Sequence, residues 1–142
     1  MREIDEITRE IVDCAYHLHL RLGPGLLESV YEMVLGRMLE RRGLQVRRQV
    51  PVTFEFDGMR FEDGFRADLL VEDRVVVELK SLEKLTPIHG KQLLTYLRLM
   101  ELDVGLLINF GAATMKEGLR RVVNGHEPSQ GRGLRINQPS PG

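Results

Sequence analysis

Two strand-like runs in this 142-residue sequence carry charge where an apolar residue is expected: Phe65-Arg66-Ala67-Asp68-Leu69-Leu70-Val71 and Val75-Val76-Val77-Glu78-Leu79-Lys80. Charges inside otherwise apolar strands break a local rule, and such breaks collect at functional sites. If Glu72–Arg74 form a three-residue loop, Val71 faces Val75 and Asp68 faces Glu78. Directly opposed residues hold their Cβ atoms about 5 Å apart on one face. Lys80 shares that face, being two residues from Glu78, while Leu79 turns into the opposite layer. Two carboxylates so close repel and raise a pKa unless a cation intervenes, and hard oxygen donors suit Mg²⁺ or Mn²⁺. The Lys80 ammonium would then orient or activate an attacking water, or offset charge developing on a phosphate. The plainer reading is an ion-pair network on a solvated sheet face, and an isolated match of this kind favours it. What favours chemistry is the company: Glu28 at the start of a helix, and Gln92 with Tyr96 one turn apart on another.

The elements that must position these residues follow from hydrophobic periodicity. Ile4, Ile7, Ile11, Ala15, Leu18 and Leu22 recur at three and four, predicting a helix from Ile4 to about Arg21 that Gly23-Pro24-Gly25 ends. Leu27, Val30, Val34, Leu35, Met38 and Leu39 predict a second helix from near Leu26 to the stop at Gly43. Tyr31 shares the face of Val34 and Leu35 and reads as core rather than catalyst. Alternation over Val46–Phe56 and Met59–Phe61, turned at Asp57-Gly58, predicts strands, as do Phe65–Val71 and Val75–Lys80. A loop over Ser81–Pro87, a helix over Ile88–Glu101 and a short strand Val104–Asn109 complete an α+β order, and Met115–Val123 is expected to add a terminal helix. Residues 1–124 thus read as one domain, and 125–142, rich in Pro and Gly, as a flexible tail.

Several of these blocks together resemble the GxxExxY proteins of the PD-(D/E)xK nuclease-like superfamily. The naming motif stands as Gly25-Leu26-Leu27-Glu28-Ser29-Val30-Tyr31, followed by Arg66–Val71, Glu78-Leu79-Lys80, Gln92–Leu97 and Val104–Gly111, so the resemblance spans roughly residues 10–112. It implies a restriction-endonuclease-like αβββαβ core, a mixed central sheet flanked by helices. It further implies that Asp68 and Glu78 bind Mg²⁺ (or Mn²⁺) with help from the Leu79 carbonyl and Glu28, that Lys80 is the catalytic lysine, and that Gln92 stands beside the site. Ala67 replaces the proline of the superfamily's name, and Thr95 stands where relatives often carry Asn.

Composition bounds the remaining options. Lys plus Arg total 20 against 21 Asp plus Glu, so no whole-molecule field attracts polyanions, and nucleic-acid contact needs a local basic patch. Arg41, Arg42, Arg47 and Arg48 are the densest such cluster, with a solvated face as the bland alternative. Arg47, Arg48, Tyr96 and His89, the last near a helix start, are the candidates for substrate contact. Aromatic residues at 6% without Trp do not suggest a base-stacking platform. One cysteine, and His17 and His19 two apart on a helix, exclude a zinc cluster and a disulfide. The charged N-terminus lacks an apolar signal region, and no window approaches the roughly 18 apolar residues of a membrane span, so the expected address is cytoplasmic. Two functions fit: a metal-dependent nuclease acting on DNA more than RNA, with a homodimer supplying recognition surface, or a non-catalytic domain that keeps the fold and binds nucleic acid or protein.

Overall fold

The computed structural model describes residues 2–125, so the expected tail lies outside the described residues except for Gly125. Helices α1 (Ile4–Leu22) and α2 (Glu28–Arg41) precede the strands β1 (Val46–Phe56), β2 (Met59–Val71) and β3 (Val75–Lys80). Helix α3 (Pro87–Met100) crosses over to β4 (Val104–Asn109), and a single turn, α4 (Met115–Gly118), leads into β5 (Leu119–Val123). The sheet runs in the order β1-β2-β3-β4-β5, with β3 and β4 parallel and every other neighbour antiparallel. The expected αβββαβ core is present, extended by two helices and one strand. No described helix is long and apolar enough to cross a membrane.

Two apolar layers hold the sheet. On one face α1 and α2 bury Ile7, Ile11, Leu18, Tyr31, Leu35 and Leu39 against Leu69, Val71, Val77, Leu79 and Ile108. On the other, Leu93 and Leu97 of α3 pack on Val50, Ala67, Leu70, Val76 and Leu107. Strands covered on both faces have no polar side to present, which is why Val75–Leu79 and all of β4 are buried and read as continuous apolar runs.

Three expectations from the sequence change. Met115–Val123 is not one helix: Thr114 caps a turn by accepting from the Glu117 N–H, and from Leu119 the chain is extended, pairing antiparallel with β4. The physical reason is the edge of β4, whose unpaired peptide groups gain a partner that a helix could not give. Met59–Phe61 and Phe65–Val71 form one 13-residue strand, the pairing with β1 shifting between Val52 and Phe54 to absorb an irregularity. Helix α2 begins later than the spacing suggests, with Leu27 at its N-cap, so Glu28 is its first residue.

Candidate active site

The site is built where β2 and β3 separate. Their ladder pairs Val71 with Val75, Leu70 with Val76 and Leu69 with Val77, the register expected from a three-residue loop. At the next pair, side chains replace the ladder: the Asp68 N–H donates to Glu78 Oε2 at 2.9 Å, and the Leu79 N–H donates to Asp68 Oδ2 at 2.8 Å. Each carboxylate thus hooks the other's strand, holding the two acids beside each other at the mouth of the gap. Leu79 lies in the α1/α2 layer, so alternation sends Glu78 and Lys80 to the other side. On the far edge of β3 the Lys80 carbonyl accepts from the Phe110 N–H at 2.8 Å. The Leu79 peptide, one residue earlier, therefore turns its N–H and carbonyl toward β2 and the acids.

This geometry is electrostatically expensive. Burial pushes the Glu78 carboxyl up to about 8, and the neighbouring Asp68 charge pushes the same way, against the Asp68 N–H and Lys80, which favour the anion. Burial also raises Asp68, opposed first by the hydrogen bond from Leu79, with Glu32 and Glu28 adding repulsion and Lys80 relieving it. A buried and a half-buried carboxylate side by side, with one half-buried lysine beside them, make a site short of positive charge. A divalent cation fits that deficit through one oxygen each of Asp68 and Glu78 and the Leu79 carbonyl, with waters completing the shell. Among the described residues no three acidic, histidine or cysteine side chains converge closely enough to hold one ion.

The α1–α2 turn brings Glu28 to the rim. Buried Tyr31 stacks on Phe110 with ring centroids 4.3 Å apart, while its hydroxyl donates to the Gly23 carbonyl and accepts from the Leu26 N–H. The tyrosine is core, as its spacing predicts, and it also shapes the turn from which Glu28 emerges. Glu28 accepts from the Ser81 N–H at 3.2 Å, and the Ser81 hydroxyl donates to the Leu26 carbonyl at 2.7 Å, latching the segment after Lys80 to this turn. Asn109 secures the same segment, its buried Oδ1 accepting from the Leu82 and Gly111 N–H groups. From α3, Tyr96 stacks on Phe65 at 4.2 Å, and its hydroxyl is pushed up by burial and by the Glu78 and Asp68 charges, which puts it in the field of the acids. Gln92 lies one turn earlier on the exposed surface of α3.

The other candidates are occupied differently. His89 is the third residue of α3 and its Nδ1 accepts from the Thr86 N–H at 3.1 Å, closing a capping box. Arg47 pairs with Asp73 at 2.7 Å, Arg48 with buried Glu32 at 3.0 Å, and Arg42 with Glu10 and Asp13. The basic cluster of the sequence is therefore largely matched by carboxylates. Glu32 and Gln49 are residues the sequence reading missed: Glu32 follows Glu28 by one turn, a usable signal, whereas Gln49 carries none in its type or spacing. The aromatic residues, though few, form a row in which Phe61 stacks on Phe54, Phe54 lies against Phe65, and Phe65 meets Tyr96.

No curated protein and no solved structure matches this sequence. A family model does, that of the PD-(D/E)XK nuclease superfamily, over residues 5–122. That match takes in both strands of the carboxylate pair, the lysine and all three long helices, and the chain belongs to the PD-(D/E)XK nuclease superfamily.

Proposed function

We propose that this protein is a divalent-metal-dependent nuclease hydrolysing phosphodiester bonds in DNA or RNA, with DNA the favoured substrate, and that within the superfamily it is a GxxExxY protein. The observation that carries the reading is the interlocked pair: Asp68 and Glu78 each accept from the other strand's backbone, side by side in the gap between β2 and β3, next to Lys80. A structural ion pair needs no such arrangement of two like charges, whereas a cation site does.

Asp68, Glu78 and the Leu79 carbonyl would hold Mg²⁺ or Mn²⁺. Bound there, the ion would supply Lewis-acid polarisation of the phosphate and a more acidic water. Lys80, on the Glu78 side of the sheet, orients the attacking water and offsets charge building on the phosphate oxygens. Glu28, held by Ser81 at the rim, would assist the two acids at the metal site, and Gln92 and Tyr96 would face the substrate from α3. With Arg47, Arg48 and the His89 Nδ1 already engaged by Asp73, Glu32 and the Thr86 N–H, their contact with phosphate would require these partners to be exchanged. A homodimer would enlarge the recognition surface.

The test is cleavage of labelled single-stranded, duplex, flapped and branched DNA and RNA with Mg²⁺ or Mn²⁺, comparing wild type with Glu78→Ala and Lys80→Ala. Metal-dependent cutting lost in both variants is the expected result. Equal backgrounds from all three proteins on every substrate would refute it and favour a binding domain.

A further inference from the structure

Gln49 sits within β1 with φ 53°, a left-handed backbone conformation that a side chain other than glycine's adopts only under strain. The residues around it are reversed. Arg48 lies along Gly36 of α2 and pairs across the ladder with Leu69, which belongs to the α1/α2 layer, whereas Val50 and its partner Ala67 belong to the α3 layer. Both strands therefore change face at the position where Gln49 stands opposite Asp68, and that twist opens the gap occupied by the two carboxylates. Strain held in this way points to a function for the residue that bears it.

The Gln49 side chain shows what that function is. Its Nε2 donates to Glu32 Oε1 at 2.7 Å and reaches Asp68 Oδ1 at 3.4 Å. Glu32 is a fixed anchor, 5% exposed, with its second oxygen accepting from Arg48 Nε at 3.0 Å. The other Asp68 oxygen is held by the Leu79 N–H at 2.8 Å. Both oxygens of Asp68 are thus oriented, one tightly by backbone and one by a long contact that leaves Oδ1 able to take a stronger partner. An amide suits the position because it is neutral and carries two N–H donors, whereas a carboxylate there would face Glu32 and Asp68 as a third negative charge.

We propose that Gln49 is a positioning residue: its side-chain amide ties Asp68 to buried Glu32, itself paired with Arg48, and aims the free Asp68 oxygen at the cation. This rests on the metal-dependent reading of the site. Loss of such an outer partner weakens a metal site by about 10- to 100-fold.

The experiment uses the full chain and Mn²⁺ as the probe, with free Mn²⁺ followed by electron paramagnetic resonance and thermal melting measured in EDTA. Gln49→Gly removes the side chain and relieves the backbone strain. Gln49→Asn keeps an amide and tolerates the same φ but is one methylene too short to span the gap. Both variants are expected to melt at or above the wild-type temperature while their Mn²⁺ dissociation constants rise about 10- to 100-fold. A role in shaping the strand alone would move melting and not affinity, so affinities within twofold of wild type in both variants would overturn the proposal. Asp68→Ala separates the two levels of the argument. If wild type binds Mn²⁺ no better than Asp68→Ala, the metal site itself is refuted and the role of Gln49 with it. If wild type binds and only the Gln49 variants are unaffected, the metal site stands and the positioning role falls.

Discussion

Replacing Glu78 by glutamine isolates the cost of its buried charge beside Asp68. The amide oxygen of Glu78→Gln can still accept from the Asp68 N–H, so the hook on β2 survives and the charge alone disappears. A carboxyl whose folded-state pKa lies above its unfolded value contributes stability that is fully present below the unfolded pKa and lost as pH rises through the folded one. For Glu78 the window runs from the ordinary 4.5 to about 8, the rise being caused first by burial and next by Asp68. At 1.36 kcal/mol per pH decade the whole window corresponds to about 5 kcal/mol, of which about 3 kcal/mol falls between pH 5 and pH 8. The assay is urea unfolding in EDTA at those two pH values for both proteins. Wild type should lose about 3 kcal/mol more than Glu78→Gln on going from pH 5 to pH 8, a difference of roughly 10 °C in melting temperature for a chain of this size. Groups that titrate identically in both proteins cancel. Adding Mg²⁺ at pH 8 should restore stability to wild type, by about 2.7 kcal/mol at one hundred times the dissociation constant, and leave the variant nearly unmoved. Parallel pH curves for the two proteins would refute the premise that Glu78 is held as a costly anion.

The remaining predictions concern the supports of the site and the coupling within it. Tyr31→Phe leaves the stack on Phe110 but orphans the Gly23 carbonyl and the Leu26 N–H, so unfolding should show a loss of about 1–3 kcal/mol, with cleavage falling further as Glu28 is released. Gly111→Ala would drive a Cβ into the Leu82 backbone, and calorimetry should record a destabilisation of about 3 kcal/mol or more. At pH 8 without metal, Asp68→Asn and Glu78→Gln should each stabilise and be strongly non-additive together. Charges about 5 Å apart at an effective dielectric near 20 repel by roughly 3 kcal/mol, and an additive double-mutant cycle by urea unfolding would show that the two are not coupled.

The central pair was legible because everything it depends on is local. A three-residue loop fixes the register of β2 and β3, and the two-residue period of a strand then brings Asp68, Glu78 and Lys80 toward one site and sends Leu79 to the other layer. The long helices were legible for the same kind of reason, their apolar stripes repeating over several turns. What was not legible depends on closure of the fold. The latch from Glu28 to Ser81 joins residues 53 apart, and nothing in either neighbourhood announces it. The φ of Gln49 is a property of a strand forced to change face, and its glutamine side chain has no propensity that signals it. Strand β5 was hidden because a four-residue turn of helix precedes it and because its reason for being extended is the open edge of β4. The arginine cluster misled through composition: counted along the chain it is a basic patch, but Glu10, Asp13, Glu32 and Asp73 meet it in space.

These features share one cause. A regular sheet continued past Leu69 and Val77 would have satisfied the Asp68 and Leu79 N–H groups with carbonyls of the strands on either side and left no room for chemistry. Here the two N–H groups are satisfied by carboxylates instead, so the polar groups stay paired while the acids are brought face to face. The exchange costs stability in the absence of a cation, since it buries one carboxylate against a half-buried second one, and the rest of the fold carries that cost. Two apolar layers grip the covered part of the sheet, Tyr31 and Asn109 fix the turns that flank it, and Glu32 with Arg48 and Gln49 restrains the strand that twists away. A site of this construction should be the least stable and most cation-dependent part of the protein. Hydrogen exchange at the Asp68 and Leu79 amides, slowed by Mg²⁺ while the Leu69–Val71 ladder is unaffected, would display that link between the strain in the sheet and the chemistry it permits.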